Sequence, residues 1–169
     1  MMDRISAFRL LAKIIISLIA AVVIQGILAY RFRVFAYVDL PLILNIYYGF
    51  TLGRPITSVV IGTSVGLMQD SLSGLPLGTN GFVKTLLGYL AATAGAKFDV
   101  DLLVTRIIAI FLFTLGNGVL VSILGLMTGA APNADIGNSA WSWLLSGTLN
   151  ALLGLLMFGY HDRVTHAAS

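Results

Sequence analysis

The chain alternates apolar runs of membrane-crossing length with connections too short to fold on their own, and this rhythm limits the architecture more than any motif does. An α-helix crosses a bilayer with about 17 to 25 mostly apolar residues, and candidate spans lie at 14–30, 34–53, 56–72, 81–96, 102–127 and 141–160. The expected fold is all-α, with six transmembrane helices in a single membrane domain over residues 1–169. Soluble domains carry roughly 25% charged residues, whereas here 10% are charged and 58% are hydrophobic. No polar stretch is long enough for a water-facing domain of even about 50 residues. An enzyme with such a catalytic domain is therefore excluded.

The residue inventory removes further chemistry. There is no cysteine, hence no disulfide, thiolate metal site or cysteine nucleophile. There is no glutamate, and both histidines, His161 and His166, fall in the polar tail, where solvated side chains are the rule. No metal site, cofactor or catalytic residue is expected. A net charge of +3 would hint at nucleic acid in a soluble chain; in a membrane chain it marks the cytoplasmic side instead. With the N-terminus inside, the cytoplasmic segments hold Arg4, Arg9, Lys13, Arg54, Lys97, Arg106 and Arg163, and the opposite side holds Arg31 and Arg33. Both termini are expected in the cytoplasm. Tyr30, Tyr37, Trp141 and Trp143 would mark the outer boundary, and Tyr47, Tyr48 and Tyr160 the inner one. The second span is interrupted by Asp39 and Pro41, which leaves its fully apolar part short and makes room for an interfacial turn at its start.

Membrane helices associate where small residues let their backbones approach. The third span carries Ser58, Gly62, Gly66 and Asp70 at every fourth position, and the fourth carries Gly81, Lys84, Gly88, Ala91 and Gly95 at spacings of three and four. Each set lies on one helical face. At 1.5 Å per residue, Asp70 stands about 24 Å and Lys84 about 20 Å above the cytoplasmic helix ends. They reach similar depth, so they are expected to pair or to share a polar network beneath the turn Ser73 to Asn80, whose Gly74, Pro76 and Gly78 are turn residues. Asn117 and Asn150 lie at similar distances from the outer ends of the fifth and sixth spans, which suggests a second, structural polar pair. A proton or cation relay would need ionisable groups along the whole bilayer depth, and the sequence supplies them near one surface only. Ser71 and Ser73 near Lys84 form no recognisable Ser/Lys motif.

The segment from Gly62 through Gln69-Asp70-Ser71-Leu72-Ser73-Gly74-Leu75-Pro76-Leu77-Gly78, running on into Phe82 to Leu90 with Gly88-Tyr89-Leu90, resembles the hallmark of MreD, the rod shape-determining membrane protein family. Asp39-Leu40-Pro41 with Tyr47, Tyr48 and the basic turn at Arg54 resembles that family's second span. These matches cover residues 36 to 96, and the remainder is similar in architecture. The chain departs from the pattern at Val38, where a proline is expected, and at Lys84, where an apolar residue is expected.

The resemblance implies a non-enzymatic scaffold of bacterial cell elongation in the cytoplasmic membrane. Its implied partners are MreC and, directly or through it, MreB filaments, RodA and the elongation transpeptidase, with the lipid bilayer around it, no nucleic acid, and a homodimer compatible with the pattern. Expected helix-packing or partner-binding residues are Gly62, Gly66, Asp70, Gly74, Gly78, Lys84, Gly88 and Gly95. The implied fold is similar to the S-component of energy-coupling-factor vitamin transporters, so a vitamin-binding S-component is the alternative. Its coupling stripe would be Ala-x-x-x-Ala on the first helix, where the chain has Ser17 and Ala21.

Overall fold

A computed structural model describes residues 2–74, 76–97, 102–129 and 140–166, with side chains left undescribed at 2–8, 10, 103, 140 and 160–166. Leu75, Asp99, Asp101 and Asp135, and the side chains of Arg4, Tyr160, His161, Arg163 and His166, therefore lie outside the described set. Among the described residues there are six α-helices: α1 (Met2–Arg31), α2 (Leu40–Leu52), α3 (Pro55–Ser73), α4 (Thr79–Lys97), α5 (Leu103–Thr128) and α6 (Ala140–His166), with a 3-10 turn at Arg33–Tyr37. Three contain segments long and apolar enough to cross a membrane, namely Leu11–Arg31, Val104–Thr128 and Trp141–Gly159.

Local sequence sets the helix ends. Asp39 caps α2, its carboxylate accepting the Leu42 amide at 2.9 Å, and Pro41 sits in the first turn, where its missing N–H removes nothing from the helix. A helix continuing from residue 34 would have placed Pro41 in its interior. The chain instead makes the 3-10 turn, extends through Val38, and starts α2 afresh. At 13 residues, α2 is about 20 Å long, shorter than a hydrocarbon core of about 30 Å. Left-handed glycines end α2 at Gly53 (φ 56°), α3 at Gly74 (φ 69°) and α5 at Gly129 (φ 68°), positions where a side chain would be strained.

Helix α4 is the centre of the bundle, packed against α3, α2 and α5, while α5 packs on α6. The main core joins Leu42, Ile46 and Phe50 of α2 to Val83, Leu87 and Ala91 of α4, closed by Ile110 of α5 and Phe158 of α6. A second cluster sets Ile14, Leu18 and Val22 of α1 on Ile61 and Val65 of α3. The outer faces stay apolar: Ile16, Ile27, Val104, Leu112 and Leu156 are all more than half exposed. Such faces would aggregate in water and are at rest in lipid.

Candidate functional site

Two carboxylates organise the polar interior at one end of the bundle. The first is Asp70, in the last turn of α3 and 2% exposed. Its Oδ2 accepts the backbone N–H of Gly78 (2.9 Å) and Gly81 (3.1 Å), and its Oδ1 accepts both the backbone N–H and the side-chain Nδ2 of Asn80 (2.9 Å each). The three backbone donors lie at and just before the start of α4, where amides have no helical partners; the fourth donor is the Asn80 side chain. Asp70 thus caps α4 from another helix, where the positive end of the helix dipole favours a negative charge. Gly78 (φ 99°) turns the chain so that its amide points back at the carboxylate.

The second carboxylate is Asp39, which receives the Lys84 ammonium on Oδ2 at 2.7 Å. The Lys84 side chain is 0% exposed and that of Asp39 is 16% exposed. An isolated charge here would be costly, and the pair removes that cost locally. Other helices hold the same corner. Gln25 of α1 donates to the carbonyls of Phe35 (3.1 Å) and Val38, and its Oε1 accepts the Leu40 amide at 3.1 Å. Asn150 of α6 accepts the Asp39 amide at 2.9 Å and donates to Thr114 Oγ1 of α5 at 3.4 Å. Asn45 of α2 donates to the Lys84 carbonyl at 2.7 Å. The extended break between the 3-10 turn and α2 exposes backbone groups that no helix satisfies, and side chains from α1 and α6 satisfy them.

Two sequence expectations change here. Lys84 pairs with Asp39, not with Asp70, because Asp70 is saturated by four donors at the α4 N-terminus. Asn117 and Asn150 do not pair: Asn150 turns to Asp39 and Thr114, and Asn117 Oδ1 is buried with no hydrogen-bond partner. Gln25 and Thr114 were not expected in the site at all. The one legible signal was the Asp39-x-Pro41 helix start, which marks a backbone break needing partners.

The small-residue face of α3 meets α4 inside the chain at Gly62 and Gly66, while that of α4 is shared between α3 and α2. A Cβ on Gly66 would stand 2.6 Å from the Asn80 carbonyl carbon and the Gly81 Cα, and one on Gly62 would stand 2.7 Å from the Lys84 carbonyl carbon. A Cβ on Gly88 would press on Asn45 Oδ1 at 2.8 Å and on the Ser58 carbonyl oxygen at 2.9 Å; one on Gly95 would lie 2.9 Å from Phe50 Cα. Thr63 and Thr85 share a hydroxyl hydrogen bond (2.7 Å) across the same α3–α4 contact. At the other end of α5, the Arg106 guanidinium stacks 4.9 Å above the Phe158 ring, which also meets Tyr47 edge-on.

Ser71 and Ser73 donate to the carbonyls of Leu67 and Asp70 on their own helix, and Lys84 is committed to Asp39. The chemistry of this arrangement is the fixing of helices and of one turn, with no nucleophile set beside a base. Among the described residues no three His, Cys, Asp or Glu side chains gather as a metal site would require.

A sequence model of the family described as rod shape-determining protein MreD matches residues 4–164, nearly the whole chain. No curated protein and no solved structure matches it.

Proposed function

The chain belongs to the MreD family of rod shape-determining membrane proteins, and from that premise we propose that it works as a six-span scaffold of the cell-elongation machinery that docks MreC. In this reading both termini are cytoplasmic, α3 and α4 are spans despite their small and polar residues, and α2 spans together with the 3-10 turn before it. MreB, RodA and the elongation transpeptidase would associate directly or through MreC. The membrane site is the bacterial cytoplasmic membrane.

One observation carries the reading. Four donors from Gly78, Asn80 and Gly81 on Asp70 anchor the start of α4 to the end of α3, and beside this anchor Leu72 of α3 and Leu77 are 65% and 75% exposed. A fixed apolar surface at a bilayer boundary suits a protein partner, because little conformational freedom is lost when it is covered. The glycine faces of α3 and α4 support this as its rigid base, and Gly74 and Gly78 shape the turn itself.

The experiment is paired. Depletion of the protein should give rounded, width-defective cells, rescued by the wild-type chain and not by any single vitamin. Leu77→Asp, which changes an exposed side chain, should fold normally yet recover much less MreC on purification. Undiminished MreC recovery with Leu72 and Leu77 both replaced would remove this surface from the proposal.

A further inference from the structure

Helices α1 and α3 touch along Ile14, Leu18, Ile61 and Val65, and above that contact they leave an apolar groove of about 310 Å³. Its sides are formed by Leu11, Ile15 and Ile19 of α1 and by Thr57, Val60 and Ser64 of α3. The two small hydroxyl residues recur at a spacing of seven, so they leave room on one face where larger side chains would have filled it. Along α3 the groove runs from Thr57 to Met68, about 16 Å, enough for most of a fatty acyl chain.

The groove lining holds no charged side chain. Arg54, the N-cap of α3 with extended backbone, stands one turn before Thr57, at the spacing of three and four that links Thr57, Ile61, Ser64 and Met68. It is exposed, forms no ion pair with any described residue, and makes no side-chain cap on α3. Arg9 and Lys13 of α1 are also exposed, but their helical positions turn them away from the groove face. An apolar slot preceded by a guanidinium that pairs with no carboxylate among the described residues is complementary to a single amphiphile, with an apolar tail and a monoanionic oxygen-rich head.

We propose that the α1–α3 groove holds an acyl chain of an anionic phospholipid whose phosphate is bound by Arg54, with the Thr57 hydroxyl near the glycerol ester. The leaflet rests on the orientation proposed above, which would make it the cytoplasmic one; binding itself does not depend on that orientation or on MreC.

The test uses the full chain purified in neutral detergent, with thermal unfolding and native mass spectrometry as readouts. Phosphatidylglycerol should stabilise the protein and stay bound, whereas phosphatidylcholine should do so much less and inorganic phosphate not at all. Arg54→Gln should weaken phosphatidylglycerol binding about fivefold, the effect of one basic residue near a lipid surface, while Lys13→Gln leaves it nearly unchanged. Ser64→Trp, or Val60→Trp if the first misfolds, should block the groove and reduce bound lipid of both kinds. Equal stabilisation by the two lipids, an unchanged response in Arg54→Gln, an equal loss in Lys13→Gln, or full lipid retention in both tryptophan variants would each overturn the proposal. Failure of the wild-type chain to recover MreC, with lipid binding intact, would count against the scaffold reading alone.

Discussion

Lys84 Nζ lies 2.7 Å from Asp39 Oδ2, joining the middle helix of the bundle to the N-cap of α2 with the lysine wholly buried. Asp39 also caps α2, so the two roles need separating. Asn caps a helix about as well as Asp, so Asp39→Asn should keep the cap and lose the ion pair. It leaves the Lys84 ammonium buried without a counter-charge, and the expected loss is about 3 kcal/mol. Lys84→Met combined with Asp39→Asn should recover a large part of it. Thermal unfolding in detergent across the four proteins of the cycle measures the coupling, and strict additivity would show that the pair contributes nothing.

Asp70→Asn tests the cap on α4. An amide can present one oxygen where the carboxylate presents two, and its NH₂ would face amides that also donate. Two of the four hydrogen bonds go, for a cost of about 2 to 4 kcal/mol. The turn before α4 should loosen first, so limited proteolysis between residues 73 and 78 should accelerate more than cleavage elsewhere.

Gly66→Ala and Gly26→Ala form a contrast within one residue type. At Gly66 the new methyl meets backbone of α4 that cannot move aside, and separating α3 from α4 should cost about 1 to 3 kcal/mol. At Gly26 nothing lies within 4 Å, so alanine should stabilise α1 by up to about 1 kcal/mol through helix propensity. Unfolding temperatures that shift the same way would contradict the packing described for α3 and α4.

Asn150→Leu and Asn117→Leu should separate likewise. Asn150 satisfies the Asp39 amide, and its loss should cost about 1 to 2 kcal/mol. Asn117 has an unpartnered Oδ1, so its replacement should stay within about 0.5 kcal/mol of wild type. Equal destabilisation of both would restore the paired role that their similar depth suggested.

Much of this architecture is legible in the sequence. The expected spans 56–72, 81–96 and 102–127 fall within a few residues of α3, α4 and α5, because long apolar runs bounded by glycine, proline and basic residues leave a helix few other places to end. The first and last runs foretold helices but not their length: α1 starts at Met2 and α6 continues to His166, since polar residues propagate a helix beyond the apolar stretch. The faces of Gly62, Gly66, Gly88 and Gly95 were equally readable, because a period of three and four fixes a face whatever it meets.

What the period could not give was the neighbour. Depth along a helix placed Asp70 level with Lys84, but depth is one coordinate, and Asp39, Asn150 and Gln25 compete at the same level from other helices. The outcome follows from backbone groups that only the assembled chain exposes: the free amides at the start of α4 claim Asp70, the break before α2 claims Gln25 and Asn150, and Lys84 is left with Asp39. By itself the sequence determined that the chain is a membrane protein, where its helices form, and the faces they present. The tertiary structure decided which charge neutralises which, because that depends on the unsatisfied donors each helix end brings to its neighbours.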